Sequence, residues 1–124
     1  LRLTPPAALV SIIALDPFDE SNGATRLIPH SHTWGEEENA AMAAGGLDSG
    51  GKVLRLPSGV EAEAISAVMP AGSLLGFDGA IWHAGGASAA THSRSRLALN
   101  FVYCCGWLQQ QVQAPLPQPW LCRA

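Results

Sequence analysis

Apolar positions in this chain come in short bursts punctuated by proline, glycine and asparagine, not in long helical stripes. The first burst, "AALVSIIAL" at residues 7–15, follows Pro5-Pro6 and carries β-branched residues, which predicts a central strand. "DPFDESNG" then supplies the turn signals Asp16-Pro17 and Asn22-Gly23, with Asp16 and Asp19 as turn residues. "ATRLIP" predicts a second short strand, stopped by Pro29. In "GEEENAAMAAGG" three glutamates precede an alanine-rich run, which predicts one short helix with acids at its positive end, closed by Gly45-Gly46.

"LDSGGKVLRLPSG" predicts an exposed insertion holding a small strand or hairpin. Residues 61–86 alternate short apolar stretches with turns at Pro70-Ala71-Gly72 and Asp78-Gly79. "SRLALNFVYC" is the last clear strand, and its alternation places Arg96, Ala98 and Asn100 on one face. The tail beyond Gln111 carries Pro115, Pro117 and Pro119 and cannot be a helix or an interior strand. Short strands, Gly/Pro turns and one modest helix predict a mainly β sandwich or barrel.

Composition narrows the picture. With 124 residues, 48% hydrophobic and 14% charged, the chain is long enough and apolar enough for a core. A formal net charge of -3 without any basic block gives no electrostatic case for nucleic acid. No apolar run approaches the roughly 18 residues of a membrane span. Cys104, Cys105 and Cys122 form no CxxC and are expected to be reduced, partly buried thiols, which points to an intracellular, cytoplasmic or organellar setting. The chain opens at Leu1, and a larger polypeptide continuing upstream is the expectation.

The chemistry concentrates in "FDGAIWHAGGASAATHSRSRLALNFVY". His83 ends an apolar run; a neutral imidazole there offers one nitrogen to a metal while a neighbouring acceptor fixes the other. A glycine-rich turn and a return strand would bring Arg96 beside it, and a guanidinium suits a carboxylate. A metal ligand plus an arginine is what a chelating keto-acid cosubstrate requires, although a strand histidine with a purely structural role gives the same pattern. Trp82 and Trp107 are candidates for core or pocket wall. Glu36, Glu37 and Glu38 read as a solvated helix start, and no hydrolase triad accompanies Ser31 or Ser73.

Two segments resemble the phytanoyl-CoA dioxygenase family of non-haem iron oxygenases: "LDPFDESNGATRLIPHSHTW" (residues 15–34) and "MPAGSLLGFDGAIWHAGGASAATHSRSRLALNFVYCCGWLQQQ" (residues 69–111). The resemblance implies a double-stranded β-helix, a cupin-like jelly roll, over residues 1–111, with residues 36–59 as an insertion and 112–124 as a Pro-rich tail. It implies Fe(II) and 2-oxoglutarate, His83 as the distal metal ligand, and Arg96 as the clamp on the far carboxylate, with Arg94 as competitor. Trp82 and Asn100 become candidate substrate-pocket residues, for a small or lipid-like organic substrate that is hydroxylated or halogenated. His30 stands where the family carries glycine in a Pro-Gly-Ser-His turn, so a positive φ there would strain it.

The family's His-x-Asp motif, which holds the other two ligands, has no counterpart here: no histidine is followed two residues on by Asp or Glu. The expectation is therefore part of an oxygenase that is inactive as this chain, with an open sheet edge. Two alternatives stand beside it: a non-catalytic jelly-roll remnant serving as an interaction or scaffold domain, and a cupin metal site made by His30, His32 and His83.

Overall fold

A computed structural model describes residues 6–45, 53–59, 61–89 and 96–108. The architecture is mainly β, with antiparallel pairing throughout and one α-helix, consistent with a jelly roll. The strands are β1 (Ala8–Ala14), β2 (Arg26–Leu27), β3 (Val53–Arg55), β4 (Glu61–Glu63), β5 (Ile65–Ser66), β6 (Leu74–Asp78), β7 (His83–Ala84) and β8 (Ala98–Cys104). A 3-10 turn at Ser31–Thr33 leads to α1 (Glu36–Gly45). Strands form within the stretches predicted at residues 7–15, 24–29 and 95–104, as does the helix, while the apolar run before His83 is strand only over Leu74–Asp78 and turns at 79–82.

One sheet runs β6-β1-β8 and the other β5-β2-β7, while β3 and β4 make a separate hairpin. In β1 the alternation buries Val10, Ile12 and Ala14, which face β2's Leu27 and the ring of Phe18 in the main core. Phe77 of β6 lies opposite Val10 and joins the same cluster. Long-range pairing of this kind removes apolar surface from water at about 25 cal/mol per Å2, the principal stabilising term. A second cluster of Ile28, Leu56, Ala62 and Ala64 packs with Trp34, Met42 of α1 and Trp82. The segment expected to be an exposed insertion therefore contributes to this second core, through Leu56 and the partly buried Leu54 of β3.

The turns are closed by their own side chains. The Asp19 carboxylate accepts from the Ser21 and Asn22 amides at 2.7 and 2.9 Å, and the Asn22 carboxamide donates to the Pro17 carbonyl at 2.8 Å. Gly23 takes the positive φ, 77°, that the Asn-Gly signal anticipated.

β8 is different. Among the described residues nothing pairs with its outer edge, nor with the outer edge of β7. Val102 sits opposite Val10, yet it is 45% exposed where Val10 is 6%. On the other face Leu9, Leu74, Leu99, Phe101 and Tyr103 form an apolar surface that no described residue covers. No helix among the described residues is long and apolar enough to cross a membrane.

Candidate functional site

His83 opens β7, paired with Leu27 of β2, and its side chain is exposed. Its Nδ1 lies 2.8 Å from the Ile81 carbonyl oxygen. A carbonyl can only accept, so the neutral imidazole carries its proton on Nδ1 and keeps the Nε2 lone pair for an external partner. The edge of the imidazole also meets the Phe77 ring, with centroids 4.9 Å apart and planes at 62°. A core ring on one side and a backbone acceptor on the other orient the histidine.

The residue before it is fixed more tightly. The Trp82 amide donates to the Ser31 hydroxyl at 2.8 Å, and that hydroxyl donates to the Ile28 carbonyl at 2.7 Å. The Ile28 amide in turn donates to the Trp82 carbonyl at 3.0 Å. The indole Nε1 donates to Asn39 Oδ1 at 2.7 Å, while the amide end of Asn39 donates to the Gly35 and Trp34 carbonyls at 2.7 and 3.2 Å. The residues 31–39 thus lock Trp82 beside His83. An open cavity of about 360 Å3 is lined by Asn39, Gly79, Ala80, Ile81, Trp82 and His83.

Asn39 and Ser31 were not singled out by sequence as site residues. The available signal was an asparagine inside an alanine-rich helix, where its side chain competes with the backbone and so calls for a tertiary reason. Trp82 lines the cavity. Trp107 does not serve as core or pocket wall: it is 68% exposed in the turn after β8. Asn100 sits opposite Ile12 on the inward face of β8, but it is exposed and does not line the cavity.

Arg96 is half-buried at the entrance to β8, its guanidinium carbon 3.9 Å from the centroid of the Phe18 ring. Phe18 and Phe77 belong to one core cluster, so His83 and Arg96 each rest on a ring of the same core. Arg94 and the tail from residue 109 onward lie outside the described residues. Glu36, Glu37 and Glu38 occupy the first turn of α1, and Glu38 caps it by accepting from the Gly35 amide at 3.1 Å.

Among the described residues no group of three His, Cys, Asp or Glu side chains could hold a metal ion. His30, His32 and His83 therefore do not converge on a cupin-type site; His30 and His32 have ring centroids 6.4 Å apart. His30 adopts the left-handed conformation, φ 63°, that the glycine of the resembled turn would adopt freely. Cys104 and Cys105 are free thiols, both partly buried.

Residues 1–96 match the model of the phytanoyl-CoA dioxygenase (PhyH) family. The relatives include fungal proteins named as dioxygenases and two mycobacterial proteins. The chain is 31% identical over 100 residues to "Dioxygenase trt7" of Aspergillus terreus, covering 81% of this chain and 29% of the relative. It is 32% identical over 99 residues to "Multifunctional dioxygenase prhA" of Penicillium brasilianum, covering 79% and 29%. With "Dioxygenase andF" of Emericella variicolor the identity is 30% over 104 residues, covering 83% and 30%. The chain thus spans under a third of the length of these curated relatives.

Proposed function

The chain belongs to the phytanoyl-CoA dioxygenase family, and on that premise we propose that it forms part of an Fe(II)/2-oxoglutarate-dependent dioxygenase that hydroxylates a small or lipid-like organic substrate. His83 is the distal iron ligand in this reading, and Arg96 holds the far carboxylate of 2-oxoglutarate, with Arg94 as the competing clamp. The observation that carries it is the state of the two side chains. The histidine has its Nδ1 on the Ile81 carbonyl, which leaves Nε2 as the ring nitrogen open to a ligand, and the arginine has no described acid on its guanidinium.

The described residues do not fit the iron. They supply one imidazole where the family's site takes two histidines and a carboxylate, and one donor cannot hold Fe(II) facially. The 2-oxoglutarate end is better provided: Arg96 has a permanent charge and a planar fork suited to a carboxylate. Trp82, held by Ser31 and Asn39, supplies an apolar wall that would keep water from a substrate placed beside His83.

As this isolated chain the protein is inactive. Incubated with Fe(II), 2-oxoglutarate and oxygen, it releases no succinate above a His83→Ala control. Iron-dependent succinate release that is lost with His83→Ala would show that the 124 residues complete a site by themselves. In the polypeptide that does hold iron, Arg96→Ala weakens 2-oxoglutarate binding at least about tenfold and leaves iron affinity unchanged. Unchanged cosubstrate affinity would transfer the role to Arg94.

The open edge of β8 favours a second reading, a jelly-roll unit that binds a partner through that edge without catalysis. It requires the isolated chain to melt cooperatively as a monomer.

A further inference from the structure

Arg96 carries a positive charge into a half-buried position, where its guanidinium lies over an aromatic ring and pairs with no described acid. Asp16 is near in the fold but engaged elsewhere: its Oδ2 accepts from the Leu97 amide at 2.9 Å. The Leu97 carbonyl accepts from the Leu15 and Asp16 amides at 3.1 and 3.2 Å. The turn following β1 therefore grips the start of β8 by its backbone, immediately beside the arginine.

The ring itself is anchored. Phe18 is 1% exposed and sits in the main core, and its amide and carbonyl both pair with Met69, at 2.8 and 3.0 Å. A cation over a ring face is attracted by the ring's quadrupole. Unlike a carboxylate, a ring takes up none of the five N–H donors of the guanidinium. The charge is held in place with its hydrogen-bonding capacity intact, which is the state a clamp for an incoming carboxylate needs before the ligand arrives.

We propose that Phe18 is the positioning residue for Arg96, holding the guanidinium by a cation–π contact so that its donors face the far carboxylate of a dicarboxylate cosubstrate. This rests on Arg96 being the clamp.

The test uses the 15N-labelled chain and the arginine Nε–Hε signals, with Arg96 assigned by Arg96→Lys and 2-oxoglutarate as the titrant. In the parent chain the Arg96 signal is shifted by the ring current and moves on titration. In Phe18→Leu the ring shift disappears and the apparent Kd rises about three- to tenfold. Because Leu at position 18 could disturb the core, a second variant carries 3,4,5-trifluorophenylalanine there, which preserves the shape and depletes the negative face; it weakens binding in the same direction. If both variants bind as the parent does while Arg96→Lys binds poorly, the clamp stands and the role of Phe18 is overturned. If 2-oxoglutarate leaves the Arg96 signal of the parent unmoved, both are overturned.

Discussion

Two neighbours of different kinds hold His83, and each fixes a different freedom. The Ile81 carbonyl selects the tautomer, and the Phe77 ring limits rotation of the imidazole. The sequence placed the histidine after an apolar run and anticipated an acceptor, but an acceptor two residues back in its own chain is a matter of backbone path. His30 is the reverse case, because its strain was legible from the residue type at that turn. A non-glycine residue at φ 63° costs on the order of 1–3 kcal/mol when the surroundings impose it. His30→Gly should therefore stabilise the chain by about 1 kcal/mol in urea denaturation, less than the full strain because glycine also gains entropy when unfolded. A loss of stability would mean that the His30 side chain makes a contribution larger than its backbone strain.

Between elements, the decisive approach is that of residues 23–24 to residue 86. A Cβ added at Gly86 would lie 2.6 Å from the Ala24 carbonyl oxygen, and that same carbonyl accepts from the Gly86 amide at 3.1 Å. The Asn-Gly turn and the Gly-Gly after β7 are thus two halves of one contact, which holds β7 and its histidine against β2. Gly86→Ala should cost about 1–3 kcal/mol, whereas Gly85→Ala, with nothing within 4 Å of the added carbon, should be near neutral. Equal denaturation midpoints for the two variants would show that the contact yields. Sequence marked the Asn-Gly and the Gly-Gly as turns but could not reveal that they meet. The same limit applies to α1: its acids and its Gly stop predicted the helix, while the reach of Asn39 to Trp82 spans 43 positions and depends on the fold.

For the whole molecule, the unbalanced feature is β8. Tyr103 is 60% exposed on a strand whose outer edge is unpaired among the described residues, with Leu99 and Phe101 on the same outer face. Exposed edges with apolar side chains template pairing with further chains. The isolated chain should accordingly associate with rising concentration in sedimentation velocity. The double variant Leu99→Lys with Tyr103→Lys should suppress that association, since both side chains already face water and charge opposes edge pairing. Stability should change by no more than about 1 kcal/mol in total. A parent chain that is monomeric and melts cooperatively would favour the jelly-roll unit that binds a separate partner.

The sequence by itself determined the strands, the turns and the helix, because these follow from local alternation, from residues that tolerate or refuse particular φ values, and from charge at a helix start. It also brought out His83 and Arg96 through the family's motifs. Only the tertiary structure decided how these two residues are held. The contact of Arg96 with Phe18 and the Ser31 and Asn39 hydrogen bonds to Trp82 join residues distant in the chain. Such contacts arise when two sheets close over a shared core, and no local pattern encodes which ring will lie under which side chain.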